Sequence, residues 1–213
     1  PALLESVDMM MDAQAALIVP AREAFTERLR GIFDRYYRLI AGDAESVDMA
    51  YMASTAGHAS LLDALGHARE RDRVMRHTTV GPHRDDLELS LNGMPVRRVA
   101  SQGQCKTYTV ALRLAQYDFM REASHMKPLL LLDDIFDKLD ATRVERLVEI
   151  VSEDIFGQIF ITDTNRDHLD HIMARSGHDY RSWVVADGVF SLNSSSSPLE
   201  ADGNVQAPEE PQP

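Results

Sequence analysis

One cysteine, three lysines, one tryptophan and no long apolar run: these scarcities narrow what a 213-residue chain can be before any motif is considered. Cys105 has no partner for an internal disulfide, which excludes a disulfide-stapled scaffold. No apolar stretch approaches the roughly 18 residues of a membrane helix, and no basic-then-apolar leader opens the chain, so a cytosolic setting without membrane contact is expected. Lysine occurs only at 106, 127 and 138, never after glycine, so these residues contain no G-x-x-x-x-G-K-[ST] phosphate-cradling loop. The remaining 19 of 22 cations are arginine, which suits bidentate phosphate contacts, although codon usage is the plainer cause. A net charge of −12 excludes a histone-like binder. The missing initiator Met at Pro1, and a helical pattern with no cap before it, suggest the later part of a longer protein.

What is present is 44% hydrophobic and patterned for a globular fold. Apolar residues at helical spacing (Leu3, Val7, Met10, Met11, then Phe25, Leu29, Ile32, Phe33) predict one kinked helix or two consecutive helices around Pro20. A strand over 47–52 and a second helix follow, the latter with Arg69, Arg71, Arg73 and Arg76 on its polar side. From Asp86 an alternating strand turns at Asn92 and Gly93 toward a partner strand at Val96 to Val99. Then come a helix at about 102–123, a buried strand at 128–133, a helix at 140–153, a buried strand at 158–162, a helix at 166–174 and a strand pair turning at Asp187 and Gly188. Strands alternating with helices indicate an α/β fold with a parallel sheet. Residues 193–213, rich in Ser, Pro and acid, have the composition of a disordered tail.

The run Leu129 to Leu132 drives directly into Asp133 and Asp134. In an open parallel sheet, ligands gather at the carboxyl ends of the strands. A strand-end aspartate there can hold Mg²⁺ or its water shell, and the next acid can orient an attacking water. Solvated acids capping a strand, or a receiver-type acidic pocket, fit the same four apolars and two acids. Upstream, "ASQGQCKT" at 100–107 is a small-residue turn entering a helix, where Ser101 can act as cap and free amides can receive an anion. Downstream stand "DKLDATR" and the strand "QIFITDTN", which ends in polar groups on the same sheet edge.

In order and spacing these segments resemble an ABC-type ATPase head, in which signature loop, Walker B, D-loop and switch strand succeed one another. Together, "TTVGPHRDDL" (78–87), "SQGQCKT" (101–107) and "LLLLDDIFDKLD" (129–140) resemble the RecF family of bacterial recombination mediators, relatives of the SMC heads, from the first helix to about Phe190. The resemblance implies the end of a helical arm domain at 1–76 and the C-terminal part of an ABC-type head at 77–192, followed by the acidic tail at 193–213. It implies that Ser101, Gln102, Gly103 and Gln104 form a signature loop contacting the γ-phosphate held by the opposite subunit. Asp133 becomes the Mg²⁺-associated acid, Asp134 the water-activating acid, Leu139 with Asp140 the D-loop, and Thr162 with Asp163 the end of the switch strand. ATP and Mg²⁺ are the implied cofactors. The implied partners are DNA at a gap or duplex junction, RecO, RecR and a second copy in an ATP-driven dimer, in a cytoplasmic, nucleoid-associated protein. Two positions depart from the pattern: Ala100 stands where Gly is commoner, and Asp163 where ABC ATPases carry a switch histidine, leaving Thr162 or Thr164 as substitutes. An ABC-transporter nucleotide-binding subunit and a non-enzymatic adaptor remain as alternatives.

Other candidates have plainer readings. The segment "GPHRDD" reads as a connector held by an Arg–Asp pair, with an interface role for Arg84 as the sharper possibility. His168 and His171 lie three apart without a completing ligand. Cys105 reads as a small packed residue and Met9, Met10 and Met11 as helix packing. The arginines of 69–76 read as a solvated helix face, with DNA backbone contact as the alternative.

Overall fold

Helical spacing over the first forty residues becomes one α-helix, α1 (Ala2–Ala41), in the computed structural model, which describes residues 2–164 and 180–192. Of the two expected forms, the one found is a single helix running through Pro20. Pro20 removes one N–H from the ladder, but Ala16 and Pro20 are both exposed, so water can satisfy the freed carbonyl. Both flanks are also anchored: Ala15 packs in one apolar cluster and Leu29, Phe33, Tyr36, Tyr37 and Ile40 in another.

Strand β1 (Val47–Met52), helix α2 (Leu61–Met75) and strand β2 (Asp86–Leu91) follow. β1 and β2 pair antiparallel from Val47↔Leu91 to Met52↔Asp86. Asn92 (φ 51°) and Gly93 (φ 75°) make the two positive-φ positions of a tight hairpin turn. The partner strand is β3 (Met94–Pro95), not the expected Val96 to Val99, which form the short helix α3 (Val96–Val99). Pro95 has no N–H to extend the ladder, so pairing stops after Leu91↔Met94 and Ser90↔Pro95.

Helix α4 (Gln102–Ser124), strand β4 (Leu130–Asp133), helix α5 (Ala141–Val151) and strand β5 (Ile159–Thr162) form the α/β part, with β4 and β5 paired in parallel. Its core also takes in the root of α1. Tyr108 of α4 lies 4.6 Å from Phe33 and 5.9 Å from Tyr37, ring to ring, and such pairs each contribute about 0.5–1.5 kcal/mol beyond area burial. The far half of α1 packs instead with α2, through Ala15, Leu61, Ala64, Leu65 and Ala68.

The strands of this part were expected to be buried throughout, and they are not. Leu130 and Leu132 enter the core, but Leu131 is 71% exposed and Phe160 50%. Parallel strands are apolar on both faces because both are normally covered, and among the described residues only one face of β4 is. β4 also pairs with β5 alone among those residues. The hairpin β6 (Trp183–Ala186) and β7 (Val189–Leu192) turns at Asp187 (φ 50°) and Gly188 (φ 78°), as the sequence predicts. The expected helix at 166–174 and the acidic tail at 193–213 lie outside the described residues. No helix among the described residues is long and apolar enough to cross a membrane.

Candidate functional site

The parallel register pairs Asp133 with Thr162, which brings the two strand ends to one edge. The Thr162 hydroxyl donates to Asp133 Oδ1. The Asp134 amide donates both to the Thr162 carbonyl at 3.1 Å and to its Oγ1 at 3.2 Å. Asp134 takes a φ of +48°, a left-handed conformation that aspartate tolerates better than most residues, and this ends the strand immediately after Asp133. Buried Ile135 and Phe136 then pin the chain below, so the two exposed carboxylates stand on a fixed base. Lys106 Nζ, from the first turns of α4, donates to the Asp134 carbonyl at 2.7 Å. Asp163 is half-buried and Thr164 exposed on the same edge.

Ser101 caps α4 by a reciprocal pair of bonds. Its Oγ accepts from the Gln104 amide at 3.2 Å, and Gln104 Oε1 accepts from the Ser101 amide at 2.8 Å. The sequence S-Q-G-Q is therefore a capping box as well as a candidate anion loop, with Gln102 exposed beside it. Gly103 serves a different need. A Cβ there would lie 3.0 Å from the Lys138 carbonyl, a tight contact that glycine avoids where α4 approaches the turn after the acid pair. That turn carries Lys138 at φ 65° and a Leu139 amide bonded to the Phe136 carbonyl at 3.2 Å. Asp140 then caps α5, its Oδ1 accepting from the Arg143 amide at 2.9 Å. Three of the segments singled out in sequence are thus contiguous in space: the 101–104 turn touches the 138–140 turn, which is tethered to the Asp133–Asp134 edge, while the 78–87 segment packs elsewhere, against Tyr51, Ser54 and Arg22.

Sequence reasoning missed the residue at the centre of this neighbourhood. Glu45, just beyond α1, accepts from Gln104 Nε2 at 3.1 Å, from Arg143 Nη2 at 3.1 Å and from the Tyr37 hydroxyl. Arg143 also donates to Thr107 Oγ1 at 2.9 Å and pairs with Asp140 at 3.3 Å. Burial pushes the Glu45 carboxyl up, but the bonds from Tyr37 and Gln104 and the Arg143 charge outweigh it, and its pKa falls below the usual glutamate value. The same burial, with Glu45 alongside, pushes the Tyr37 phenol upward. Nothing in the sequence marks this group except the spacing of Asp140 and Arg143, an ordinary cap signal.

The other candidates resolve mostly toward structural roles. In the 81–86 connector the Arg–Asp pair is Arg22 with Asp85, at 3.6 Å, rather than one involving Arg84. Burial raises the Asp85 pKa, but bonds from the Tyr51 hydroxyl and the Ser54 amide more than reverse this. Arg84 donates to the Thr78 carbonyl at 3.0 Å. Arg69 pairs with buried Asp8 at 2.6 Å, but Arg71, Arg73 and Arg76 are exposed, Arg71 bonding Thr79 and Arg73 pairing with exposed Glu70, so most of the arginine face is solvated as expected. Cys105 is exposed, not packed, because the buried stripe of α4 begins at Thr107 and Tyr108. Met9 and Met10 are exposed too; only Met11 packs, against the α1–α2 cluster. His168 and His171 lie outside the described residues.

No protein-family model matches the chain. Whole-sequence comparison finds curated relatives described as DNA replication and repair protein RecF. That of Bacteroides thetaiotaomicron is 49% identical over 182 residues, 85% of this chain and 49% of the relative. That of Parabacteroides distasonis is 46% identical over 186 residues, 87% of this chain and 51% of the relative. Among solved structures, the recombination mediator RecF with ATP matches with a TM-score of 0.70 at 24% identity, over 91% of this chain and 51% of that one. An SMC ATPase described in terms of ATP-driven dimerisation matches with a TM-score of 0.52 at 14% identity, over 82% of this chain and 87% of that one. These likenesses carry the fold: the α/β part has the architecture of RecF and SMC-type ATPase heads. The chain spans about half the length of the curated relatives it matches.

Proposed function

Since the chain belongs to the RecF family of DNA replication and repair proteins, we propose that it supplies the signature-loop and Walker B half of an ATP site that closes between two copies on DNA. The observation that carries this reading is the convergence of Asp133, Asp134 and Thr162 on one sheet edge, with the Ser101–Gln104 turn held against the Lys138–Asp140 turn by Gly103. Asp133 and Thr162 offer oxygen ligands at an exposed edge, which fits Mg²⁺. Mg²⁺, when bound, supplies charge neutralisation at the phosphates. Asp134, one residue on and in a different backbone conformation, is the candidate base for the attacking water. The Ser101–Gln104 turn and Asp140 would face the γ-phosphate held by the other copy, while Thr162 and Asp163 would stand with Asp133 beside this copy's own nucleotide, in place of a switch histidine.

No glycine precedes any of the three lysines, so this chain's own residues provide no P-loop. In the proposal, the half of the relatives that this chain does not match supplies it. The exposed apolar face at Leu129, Leu131 and Phe160 supports a complementing layer there. The arm at 1–76, the head portion at 77–192, a role at single-strand gaps with RecO and RecR, and a cytoplasmic, nucleoid-associated setting belong to the same proposal.

The test compares the chain alone with the chain joined to the unmatched half of a RecF relative. The joined protein is expected to hydrolyse ATP and dimerise with it, and the chain alone to do neither, because the phosphate cradle is missing. A joined protein that binds ATP but neither dimerises nor turns it over would favour a non-catalytic adaptor. Tight Mg·ATP binding by the chain alone would overturn the half-site reading.

A further inference from the structure

Away from the nucleotide edge, at the corner where β1 runs into α2, three metal-ligating side chains converge. We propose that His58, Asp63 and His67 form a binding site for a zinc-class divalent transition metal. One potential ligand atom from each lies within 4.8 Å of the others. Asp63 and His67 are four apart on α2 and so share one face of the helix. His58 comes from the preceding turn, which is folded back by the Ala59 amide donating to Asp63 Oδ2 at 3.3 Å.

The distances suit coordination. His58 Nδ1 stands 3.1 Å from Asp63 Oδ2, and His67 Nδ1 stands 3.4 Å from Asp63 Oδ1 and 2.9 Å from the Asp63 backbone carbonyl, a bond within the helix that a metal at this nitrogen would displace. Zinc bonds of about 2.0–2.2 Å in a tetrahedron put neighbouring ligand atoms about 3.3–3.5 Å apart; each histidine stands at such a distance from its own oxygen of the Asp63 carboxylate, and the three ligand atoms, within 4.8 Å of one another, would draw together on the ion. The two imidazole rings lie 5.2 Å apart, centroid to centroid. Two imidazoles and one carboxylate favour zinc, cobalt or nickel over Mg²⁺ and Ca²⁺, which take oxygen ligands. Three protein ligands leave a fourth position to water.

Capping alone does not account for the cluster. Ser60 already caps α2 by accepting from the Asp63 amide at 3.2 Å, and Asp12 of α1 satisfies the Leu62 amide at 2.9 Å. The helix start is therefore provided for without either histidine. A bound ion would clip the 53–60 turn to the first two turns of α2.

The test uses the tag-free full chain, stripped with chelator and titrated with Co²⁺ and then Zn²⁺ by calorimetry and visible absorption. One equivalent of Co²⁺ is expected to bind with the intense absorption of a four- or five-coordinate site, to be displaced by Zn²⁺, and to resist excess Mg²⁺. His67→Ala, His58→Ala and Asp63→Asn should each weaken Co²⁺ binding by about a hundredfold or more, beyond the typical cost of losing an outer-shell partner. His77→Ala, an exposed histidine outside the cluster, should change nothing. His67 is exposed, so its replacement leaves the fold intact and decides the matter even if His58→Ala folds poorly. No Co²⁺ or Zn²⁺ binding at protein-equivalent concentration, displacement by Mg²⁺, or undiminished affinity in His67→Ala would each overturn the proposal.

Discussion

Arg143 and Glu45 stand 98 residues apart in sequence and form a largely buried ion pair, Nη2 to Oε1 at 3.1 Å, with side chains 16% and 17% exposed. The pair ties the root of α1 to the start of α5, and Gln104 adds the first turn of α4 through the same carboxylate. Removing one member of a buried pair strands the other's charge, which typically costs about 3–5 kcal/mol. Asp140 still neighbours Arg143, so Glu45→Gln and Arg143→Gln are each expected at about 2–3 kcal/mol. The double substitution should cost less than the sum, as contacting residues do. The pH dependence has a definite sign. The Glu45 pKa is depressed on folding, so its contribution is present above the unfolded value and lost as pH falls through the folded one. Urea unfolding of wild type and Glu45→Gln should therefore differ most near neutrality and converge in acid; a gap that widens in acid would refute the assignment.

Gly103 and Gly66 are both helical, and an added methyl should act on them in opposite directions. At Gly66 nothing lies within 4 Å of the new Cβ, so Gly66→Ala should stabilise by about 0.5–1 kcal/mol through helix propensity. At Gly103 the Cβ meets the Lys138 carbonyl at 3.0 Å, a backbone atom with little room to yield. Overpacking costs about 1–3 kcal/mol and outweighs the propensity gain, so Gly103→Ala should lower the denaturation midpoint. Equal midpoint shifts for the two variants would show that the close approach to the 138–140 turn does not matter to stability.

These two cases mark where the sequence is legible. Elements whose cause is local were readable: Asn92–Gly93 and Asp187–Gly188 announce their turns, α2 and α4 announce their periodicity, and Ser101 and Asp140 their caps. The apolar run into Asp133 and Asp134 disclosed a strand end because that pattern also is local. What was not legible depended on distant partners. Glu45 looks like any surface acid until Tyr37, Gln104 and Arg143 surround it, and Gly103 looks like a loop residue until Lys138 passes beside it. The exposure of Leu131 was hidden for the same reason, since an apolar run cannot say which face its own chain covers. His58, Asp63 and His67 escaped notice because a turn had to fold back before their spacing meant anything.

Asp118, only 3% exposed, should be the costliest single polar residue to remove from the α1–α4 seam. It accepts from Arg35 Nη2 at 2.5 Å, from Arg121 Nη2 at 2.6 Å and from the Tyr36 hydroxyl at 3.4 Å. Burial, with the Asp118 charge beside it, pushes the Tyr36 phenol up to about 12. Asp118→Ala removes the acceptor shared by two partly exposed guanidinium groups and leaves the buried Tyr36 hydroxyl unpaired, at about 1–3 kcal/mol. Arg35→Ala leaves Arg121 in place and removes a half-exposed partner, so it should cost only about 1 kcal/mol. Comparable losses in chemical denaturation for both would mean that the seam is held by packing rather than by the shared carboxylate.

Asp133 and Asp134 are adjacent, yet their surroundings assign them different work in the proposed ATP site. Asp133 is bonded through Oδ1 to the Thr162 hydroxyl at the strand edge, the arrangement that suits holding Mg²⁺. Asp134 sits past the strand end with left-handed backbone, anchored through its amide to Thr162 and its carbonyl to Lys106, which leaves its carboxylate for the attacking water. In the chain joined to the unmatched half of a RecF relative, Asp134→Asn should slow hydrolysis by about 10² to 10⁴ while ATP still binds. The ATP-bound dimer should then persist and hold DNA longer. Asp133→Asn should instead weaken Mg·ATP binding itself, because a hard cation loses an anionic oxygen from its surroundings, and DNA should be released early. Retention in both cases should fall with added salt as phosphate contacts give way to counterions. The deciding measurement is DNA dissociation in the presence of Mg·ATP: equal lifetimes for the two variants, or a longer one for Asp133→Asn, would end this division of roles.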